Sequence, residues 1–357
     1  MSTLAPIVLA PLSALYGAAI HTRLSLYRRG MLRVSRLKAP VISVGNITTG
    51  GTGKTPLVEF VARALASEGR KVCVLTRGYG RDDAGRRVVV SDGQSVLASE
   101  NRAGDEPRLL AEKLLGVSAV ISDADRFAAG DWALRNLGSE VFVMDDGFQH
   151  LRLARKLDVV AIDATQPWGQ DHLLPWGHLR EPISGLSRAD CVVITRANQL
   201  DSVSALRAEL ETLIPDKPVF SSRMTMRGFT PLEKFLAMPA PIGNQVIEIA
   251  EPVAAFCGIG NPPSFIKQLK SAGYEPVSTT LFPDHHRYTG DDINNVVRKA
   301  KAVGAESLLT TAKDAVKLRG LSFELPCYVL EIEISIDDES RFLEMIYSSV
   351  AASTSLK

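Results

Sequence analysis

Cysteine is scarce, and the four present, Cys73, Cys191, Cys257 and Cys327, lie far apart. No CxxC pair exists, so a zinc ribbon or a dithiol redox site built on that spacing is excluded. Four isolated thiols, three of them in apolar runs, read as buried and reduced. A charge of one sign is also missing: 41 basic residues meet 40 acidic ones, a net +1. That balance excludes a globally basic nucleic-acid binder. No internal repeat and no low-complexity tract interrupts the chain. No apolar run reaches the roughly 20 residues that a spanning helix needs.

The nearest approach to such a run is Leu4 to Ile20, where Ser13 and the Tyr16 hydroxyl are the only polar side chains and Pro6 and Pro11 intervene. His21, Arg23, Arg28, Arg29, Arg33, Arg36 and Lys38 follow it. A signal peptide places its positive charge before the apolar run, not after it. Two readings remain: a helix lying in a membrane interface with arginines on anionic headgroups, or a core helix packed on the rest of the protein. The first is expected, over residues 1–38.

The remainder has ordinary globular composition, 45% hydrophobic and 23% charged. At about 100–200 residues per domain, 357 residues allow two domains. Short runs apolar throughout predict buried parallel strands at Pro40–Val44, Lys71–Thr76, Ser118–Ser122, Val141–Met144, Asp158–Ile162 and Cys191–Thr195. Helical patterns lie between them. Leu57, Val58, Val61 and Leu65 share one helix face. Alternating strands and helices predict an α/β fold, a doubly wound, mostly parallel sheet of the P-loop NTPase kind. That domain is expected over 39–222. Gly228, Pro231, Pro239, Pro241 and Gly243 mark 223–250 as a connector. A second series predicts a smaller α/β domain over 251–357: strand Val253–Cys257, helix Pro262–Ser271, helix Asp291–Val303 and strand Ser307–Thr311.

The strongest local signal is Gly50-Gly51-Thr52-Gly53-Lys54-Thr55, between a predicted strand and a helix opening near Pro56. That context defines a phosphate loop. Glycines let backbone N–H groups turn towards phosphate oxygens, and the helix N-terminus adds partial positive charge. Lys54 is placed for the β- and γ-phosphates and the Thr55 hydroxyl for Mg²⁺. Thr48 stands where the usual loop begins with glycine, which gives the GGxGKT variant found in small-molecule kinases and membrane-associated ATPases. The apolar strand at Val141 ends in Asp145-Asp146. A carboxylate there faces the loop's metal, so Asp145 is the expected metal residue and Asp146 a group orienting water or acceptor. A guanine reader of the Asn-Lys-x-Asp type has its nearest counterpart in Thr311-Ala312-Lys313-Asp314, with the lysine one place late. ATP is therefore expected over GTP.

Taken in order, these motifs resemble those of the tetraacyldisaccharide 4'-kinase family. The resemblance runs from the N-terminal segment to Lys317. It rests on Val44-Gly45-Asn46 leading into the phosphate loop and Pro56, then Arg77-Gly78-Tyr79-Gly80 and Gly104-Asp105-Glu106-Pro107. Asp125-Arg126, Asp145-Asp146-Gly147-Phe148-Gln149-His150, Leu173-Leu174-Pro175, Leu179-Arg180-Glu181-Pro182, Asp284-His285 and Thr311 with Lys313-Asp314 complete it. The resemblance implies transfer of the γ-phosphoryl group of ATP to the 4'-hydroxyl of a tetraacylated glucosamine disaccharide 1-phosphate, with ATP and Mg²⁺, at the cytoplasmic face of the bacterial inner membrane. The partners implied are that glycolipid and an anionic membrane surface, without nucleic acid or an obligate protein partner.

The same resemblance points to Asp105 as the base that accepts the alcohol's proton, although its place before Pro107 equally suits a helix cap. His285 is expected to pair with it from the second domain, and the His285-His286 doublet leaves the choice of histidine open. Lys54 and Asp146 complete the catalytic set. Tyr79, Arg126, Gln149, His150 and Arg180 are the candidates for holding the disaccharide or its phosphate. A membrane-associated P-loop ATPase switch acting through protein partners is the alternative. Such switches often carry a lysine just before the glycine pair, where this chain has Thr48-Thr49.

Overall fold

A computed structural model describes residues 5–78, 81, 85–237 and 247–351. Among them the strands are β1 (Val41–Gly45), β2 (Val72–Thr76), β3 (Val88–Ser91), β4 (Ser118–Ser122), β5 (Val141–Asp145), β6 (Leu157–Asp163), β7 (Cys191–Thr195), β8 (Val219–Pro231), β9 (Val253–Cys257), β10 (Ser278–Leu281), β11 (Ser307–Thr311) and β12 (Cys327–Ile336). The helices are α1 (Ala5–Arg28), α2 (Lys54–Ser67), α3 (Glu100–Ala103), α4 (Asp105–Lys113), α5 (Arg126–Asn136), α6 (Ser204–Leu213), α7 (Leu232–Ala237), α8 (Pro262–Ser271), α9 (Gly290–Ala302), α10 (Ala312–Ala315) and α11 (Glu339–Ala351). All six strands expected before residue 200 are present, because each is a continuous apolar run buried on both faces.

The chain forms two compact units, each drawn from separate stretches. The first comprises Met1–Arg77, Asp125–Arg223 and Ser335–Lys357, the second Gly78–Ala124 and Met224–Ile334. In the first, β1 lies between β5 and β6, with β2 beyond β5 and β7 beyond β6, all parallel. Register places Asp145 beside Val44 at the carboxyl edge, next to the loop that leaves β1. Gly45 at that edge is required by close approach: a Cβ there would lie 2.6 Å from Phe148 Cβ and 2.7 Å from its backbone nitrogen. The face of α2 carrying Leu57, Val58, Val61, Ala62 and Leu65 is buried. At about 25 cal/mol per Å² of apolar surface removed from water, such a face stabilises the sheet by several kcal/mol.

Helix α1 packs one stripe on this unit. Ser13 Oγ donates to Leu173 O at 2.9 Å, Tyr16 Oη to Arg180 O at 2.7 Å and Arg23 Nη2 to Gln149 O at 2.9 Å. Its other face stays in solvent, with Leu12 46% and Leu15 69% exposed. The packed stripe is that of a helix docked on the rest of the protein, the second of the two readings. Among the described residues no helix is long and apolar enough to cross a membrane. Helix α11 also belongs here: Phe342 meets Phe220 with ring centroids 5.2 Å apart and Phe60 at 6.1 Å.

In the second unit β10, β9, β11 and β12 run parallel in that order, and β3 pairs antiparallel with β4. Phe256, Ile293, Val296, Leu308 and Val329 centre its core. Half of the expected connector is regular: β8 continues to Pro231 and α7 follows directly. The first four residues of β8 are buried, Thr225, Met226 and Arg227 are exposed in succession, and Phe229 and Thr230 are buried again. Residues 238–246, with Pro239, Pro241 and Gly243, lie outside the described residues.

Candidate active site

The phosphate loop occupies the turn between β1 and α2. Gly50 and Gly53 sit at φ 101° and 77°, backbone that side-chain-bearing residues rarely adopt. Asn46, buried at the end of β1, organises the loop from inside. Its Nδ2 donates to Thr48 O and Thr52 Oγ1, both at 2.8 Å, and its Oδ1 accepts from Lys54 Nζ at 3.0 Å. Lys54 Nζ also lies 3.1 Å from Asp146 Oδ1. Arg180 Nη1 reaches both oxygens of the same carboxylate, at 2.8 and 2.7 Å. Burial opposes ionisation of Asp146, but the Lys54 and Arg180 charges outweigh it and hold the carboxyl well below the usual carboxylate range. Asp146 has φ 54°, so the turn after β5 is left-handed at a non-glycine residue.

Asp145 is buried at the last position of β5. With the Thr55 hydroxyl it supplies hard oxygen donors on the two chain segments that flank the loop. Among the described residues no three His, Cys, Asp or Glu gather to hold a metal. Mg²⁺ needs no such cage, because it takes one or two carboxylates and completes its shell with phosphate oxygens and water. The donor set therefore fits it.

Of the residues expected to hold the sugar, Tyr79 lies outside the described residues. Gln149 Nε2 is committed to Asn46 O and Glu181 Oε1, both at 2.7 Å, and Arg188 Nη2 binds the other Glu181 oxygen at 2.7 Å. Gln149 thus braces the β1 edge, and Arg180 steadies Asp146. Arg126 is buried at the start of α5, whose cap Asp125 accepts from Ala128 N at 3.0 Å. Burial, reinforced by the charges of Arg126 and Arg155, lowers the His150 pKa to about 4.

The other expected residues come together in the second unit. Asp105 opens α4, directly after Gly104 at φ 92°. His285 Nδ1 stands 3.1 Å from Asp105 Oδ1 and 2.9 Å from Oδ2. This settles which member of the doublet meets Asp105. His286 is turned away: its Nε2 lies 3.1 Å from Asp292 Oδ2, and its ring stacks on Phe282 at 4.6 Å. Asp105 also accepts from Glu106 N at 3.0 Å. Burial pushes the Asp105 carboxyl up, but His285, Lys313 and Lys317 together bring it below its ordinary value. The hydrogen bond to Asp105 raises His285. The carboxylate and the histidine fall in one unit because residues 78–124 fold with 224–334.

Lys313, given no role by the sequence reading, bridges Glu106 at 3.0 Å and Asp284 at 3.1 Å; burial opposes its charge, but those carboxylates outweigh it and hold the ammonium charged. Asp314 is fully buried and accepts from Gly258 N, Tyr288 Oη and Thr311 Oγ1. Lys313 thus holds the Asp284 side of the His285 loop, and Asp314 ties Gly258, Tyr288 and Thr311 together. The sequence reading counted them among the motifs of the resemblance without assigning them a role.

The model of the tetraacyldisaccharide-1-P 4'-kinase family matches residues 5–351. The chain belongs to the tetraacyldisaccharide 4'-kinase family. It is 39% identical over 344 residues to the tetraacyldisaccharide 4'-kinase of Desulfotalea psychrophila, covering 96% of each chain. To that of Anaeromyxobacter sp. it is 43% identical over 317 residues, 88% of this chain and 82% of the relative. Among solved structures, the LpxK of Aquifex aeolicus in complex with ATP superposes with a TM-score of 0.75 at 31% identity, over 98% of this chain and 100% of that one. The α/β fold is thus that of the tetraacyldisaccharide 4'-kinases along nearly the whole chain.

Proposed function

We propose that the protein transfers the γ-phosphoryl group of ATP to the 4'-hydroxyl of a tetraacylated glucosamine disaccharide 1-phosphate, giving the 1,4'-bisphosphorylated lipid A precursor. The observation that carries this reading is the phosphate loop between β1 and α2, with Lys54 on Asn46 and Asp146 and with Asp145 in register beside Val44. Phosphoryl transfer asks for in-line positioning and charge neutralisation more than for covalent chemistry. Lys54 supplies a cation for the β- and γ-phosphates. Thr55 and Asp145 would hold Mg²⁺, which when bound neutralises charge on those phosphates.

Asp105 accepts the proton of the attacking alcohol. Its lowered pKa keeps it ionised at some cost in basicity, and His285 orients it through Nδ1 and shares the proton. Arg126 and His150 are the proposed contacts to the disaccharide 1-phosphate, together with Tyr79. Gln149 and Arg180 act by bracing the β1 edge and Asp146. The substrate is a membrane lipid, and the exposed Leu12 and Leu15 of α1, followed along the chain by Arg28, Arg29, Arg33 and Arg36, suit a peripheral position on an anionic, cytoplasmic membrane face.

The test uses radiolabelled ATP and the acylated disaccharide 1-phosphate. Wild-type protein is expected to label the lipid. Lys54→Ala should lose ATP binding and labelling together, whereas Asp105→Ala should bind ATP and fail to label. Labelling that survives Lys54→Ala overturns the reading.

A further inference from the structure

Asp105 and His285 meet across 180 positions of sequence. Lys313 touches the chain neighbours of both. Its ammonium lies 3.0 Å from Oε1 of Glu106, the residue after Asp105, and 3.1 Å from Oδ1 of Asp284, the residue before His285. The same Asp284 oxygen accepts from His285 N at 3.0 Å. A line of contacts therefore runs from Lys313 through one carboxylate oxygen to the backbone of His285. That backbone has φ 60°, in the left-handed region. A non-glycine residue stays there only where its surroundings fix it.

The base from which Lys313 projects is itself tied down. Thr311 caps α10 by accepting from Asp314 N at 3.1 Å. Buried Asp314 accepts from Tyr288 Oη at 2.9 Å and Gly258 N at 3.1 Å, and Lys317 Nζ stands 2.9 Å from it. Two ammonium groups act on Asp105, those of Lys313 and Lys317. Lys317 is bound to Asp314, whereas Lys313 is bound beside both members of the pair.

Fold stability is a poor account of these ion pairs. The Glu106 and Asp284 side chains are 38% and 33% exposed, and pairs to carboxylates so open to water contribute little. Positioning is worth more, because a displacement of about 1 Å at a reacting centre can cost about a hundredfold in rate. The ammonium also opposes proton uptake nearby. The hydrogen bond to Asp105 raises His285, while burial and the Lys313 charge lower it, and Asp105 and Asp284 are the acids facing the ring. Burial raises Asp105, and His285, Lys313 and Lys317 lower it.

We propose that Lys313 is a positioning residue of the phosphoryl transfer, holding Glu106 and Asp284 so that Asp105 and His285 meet in one fixed geometry. The inference rests on the kinase reading above, in which that pair takes the proton of the alcohol. It adds that the pair is set by a third residue hydrogen-bonded to neither member.

The experiment is a double-mutant cycle in the lipid-labelling assay with the full-length protein. Lys313→Met is expected to lower kcat about 10- to 100-fold with ATP affinity unchanged. Because it acts through the pair, it should cost less than about threefold in the His285→Ala background. Lys313→Arg keeps a cation and should recover most of the loss. Losing the ammonium makes the pair take a proton more readily, so the acidic limb of the kcat profile should move to higher pH in Lys313→Met. An equal cost in both backgrounds, or an unmoved acidic limb, overturns the proposal, since a merely structural lysine gives those results. Lys313→Gln, which keeps hydrogen bonding without the charge, supplies the same readouts should Lys313→Met unfold. NMR titration of the His285 imidazole, assigned by its absence in His285→Ala, reads the upward shift without turnover. Wild-type protein that fails to label lipid sinks the kinase reading. The titration then decides alone, and a His285 unmoved by loss of Lys313 overturns the tie between them.

Discussion

At the scale of single residues, the doublet at 285–286 shows how neighbours with one chemistry acquire different work. His285 Nδ1 contacts Asp105, and His286 Nε2 contacts Asp292 in the cap of α9. His285→Ala is expected to lower kcat by about 10²- to 10⁴-fold, the usual worth of a general acid–base group, with ATP affinity unchanged. His286→Ala should leave kcat within a fewfold of wild type and lower stability instead. Steady-state kinetics with calorimetric ATP titration checks both.

His150 offers a pH test with a defined sign. Its pKa is about 4 in the fold against 6.5 in a free chain. Between those values the unfolded chain binds the proton and the folded one does not. Stability therefore falls as pH drops from about 6.5 to about 4, and the loss is complete below the folded value. Denaturant unfolding of His150→Gln across that window should show a shallower decline than wild type.

At the scale of elements, the segment from Leu173 to Arg188 has little regular structure, and polar contacts hold it to the β1 edge. Glu181 is its anchor, 1% exposed and shared by Gln149 and Arg188. Glu181→Ala strands both partners and is expected to destabilise the protein by about 3 kcal/mol in chemical denaturation, as breaking a buried pair does. The strands themselves were legible because a buried parallel strand is written in consecutive residues, as in Val141–Asp145. β8 was not, because beyond Ser222 it is half exposed and carries Gly228 and Pro231.

At the scale of the whole molecule, α1 turns one side to the first unit and another to solvent. Leu12 and Leu15 on α1, and Met31 at 68% and Val34 at 48% exposed beyond its end, are exposed apolar side chains in the N-terminal segment. Leu12→Glu with Leu15→Glu is expected to reduce co-sedimentation with anionic vesicles while leaving catalysis on detergent-dispersed substrate near wild type. Residual binding should fall further as salt rises, because the arginine contribution is screened over about 10 Å at 0.1 M. Unchanged sedimentation of the double variant would contradict the membrane role of this face.

By itself the sequence determined the phosphate loop, the strands that frame it and the family, because each is encoded by residues adjacent along the chain. Only the tertiary structure decided that residues 78–124 fold with 224–334, that α11 returns to the first unit, that His285 and not its neighbour meets Asp105, and that Arg196 holds Gly51. Those contacts join residues more than 100 positions apart. No local periodicity records such a pairing, since it exists only once the sheet order has brought the strand ends together.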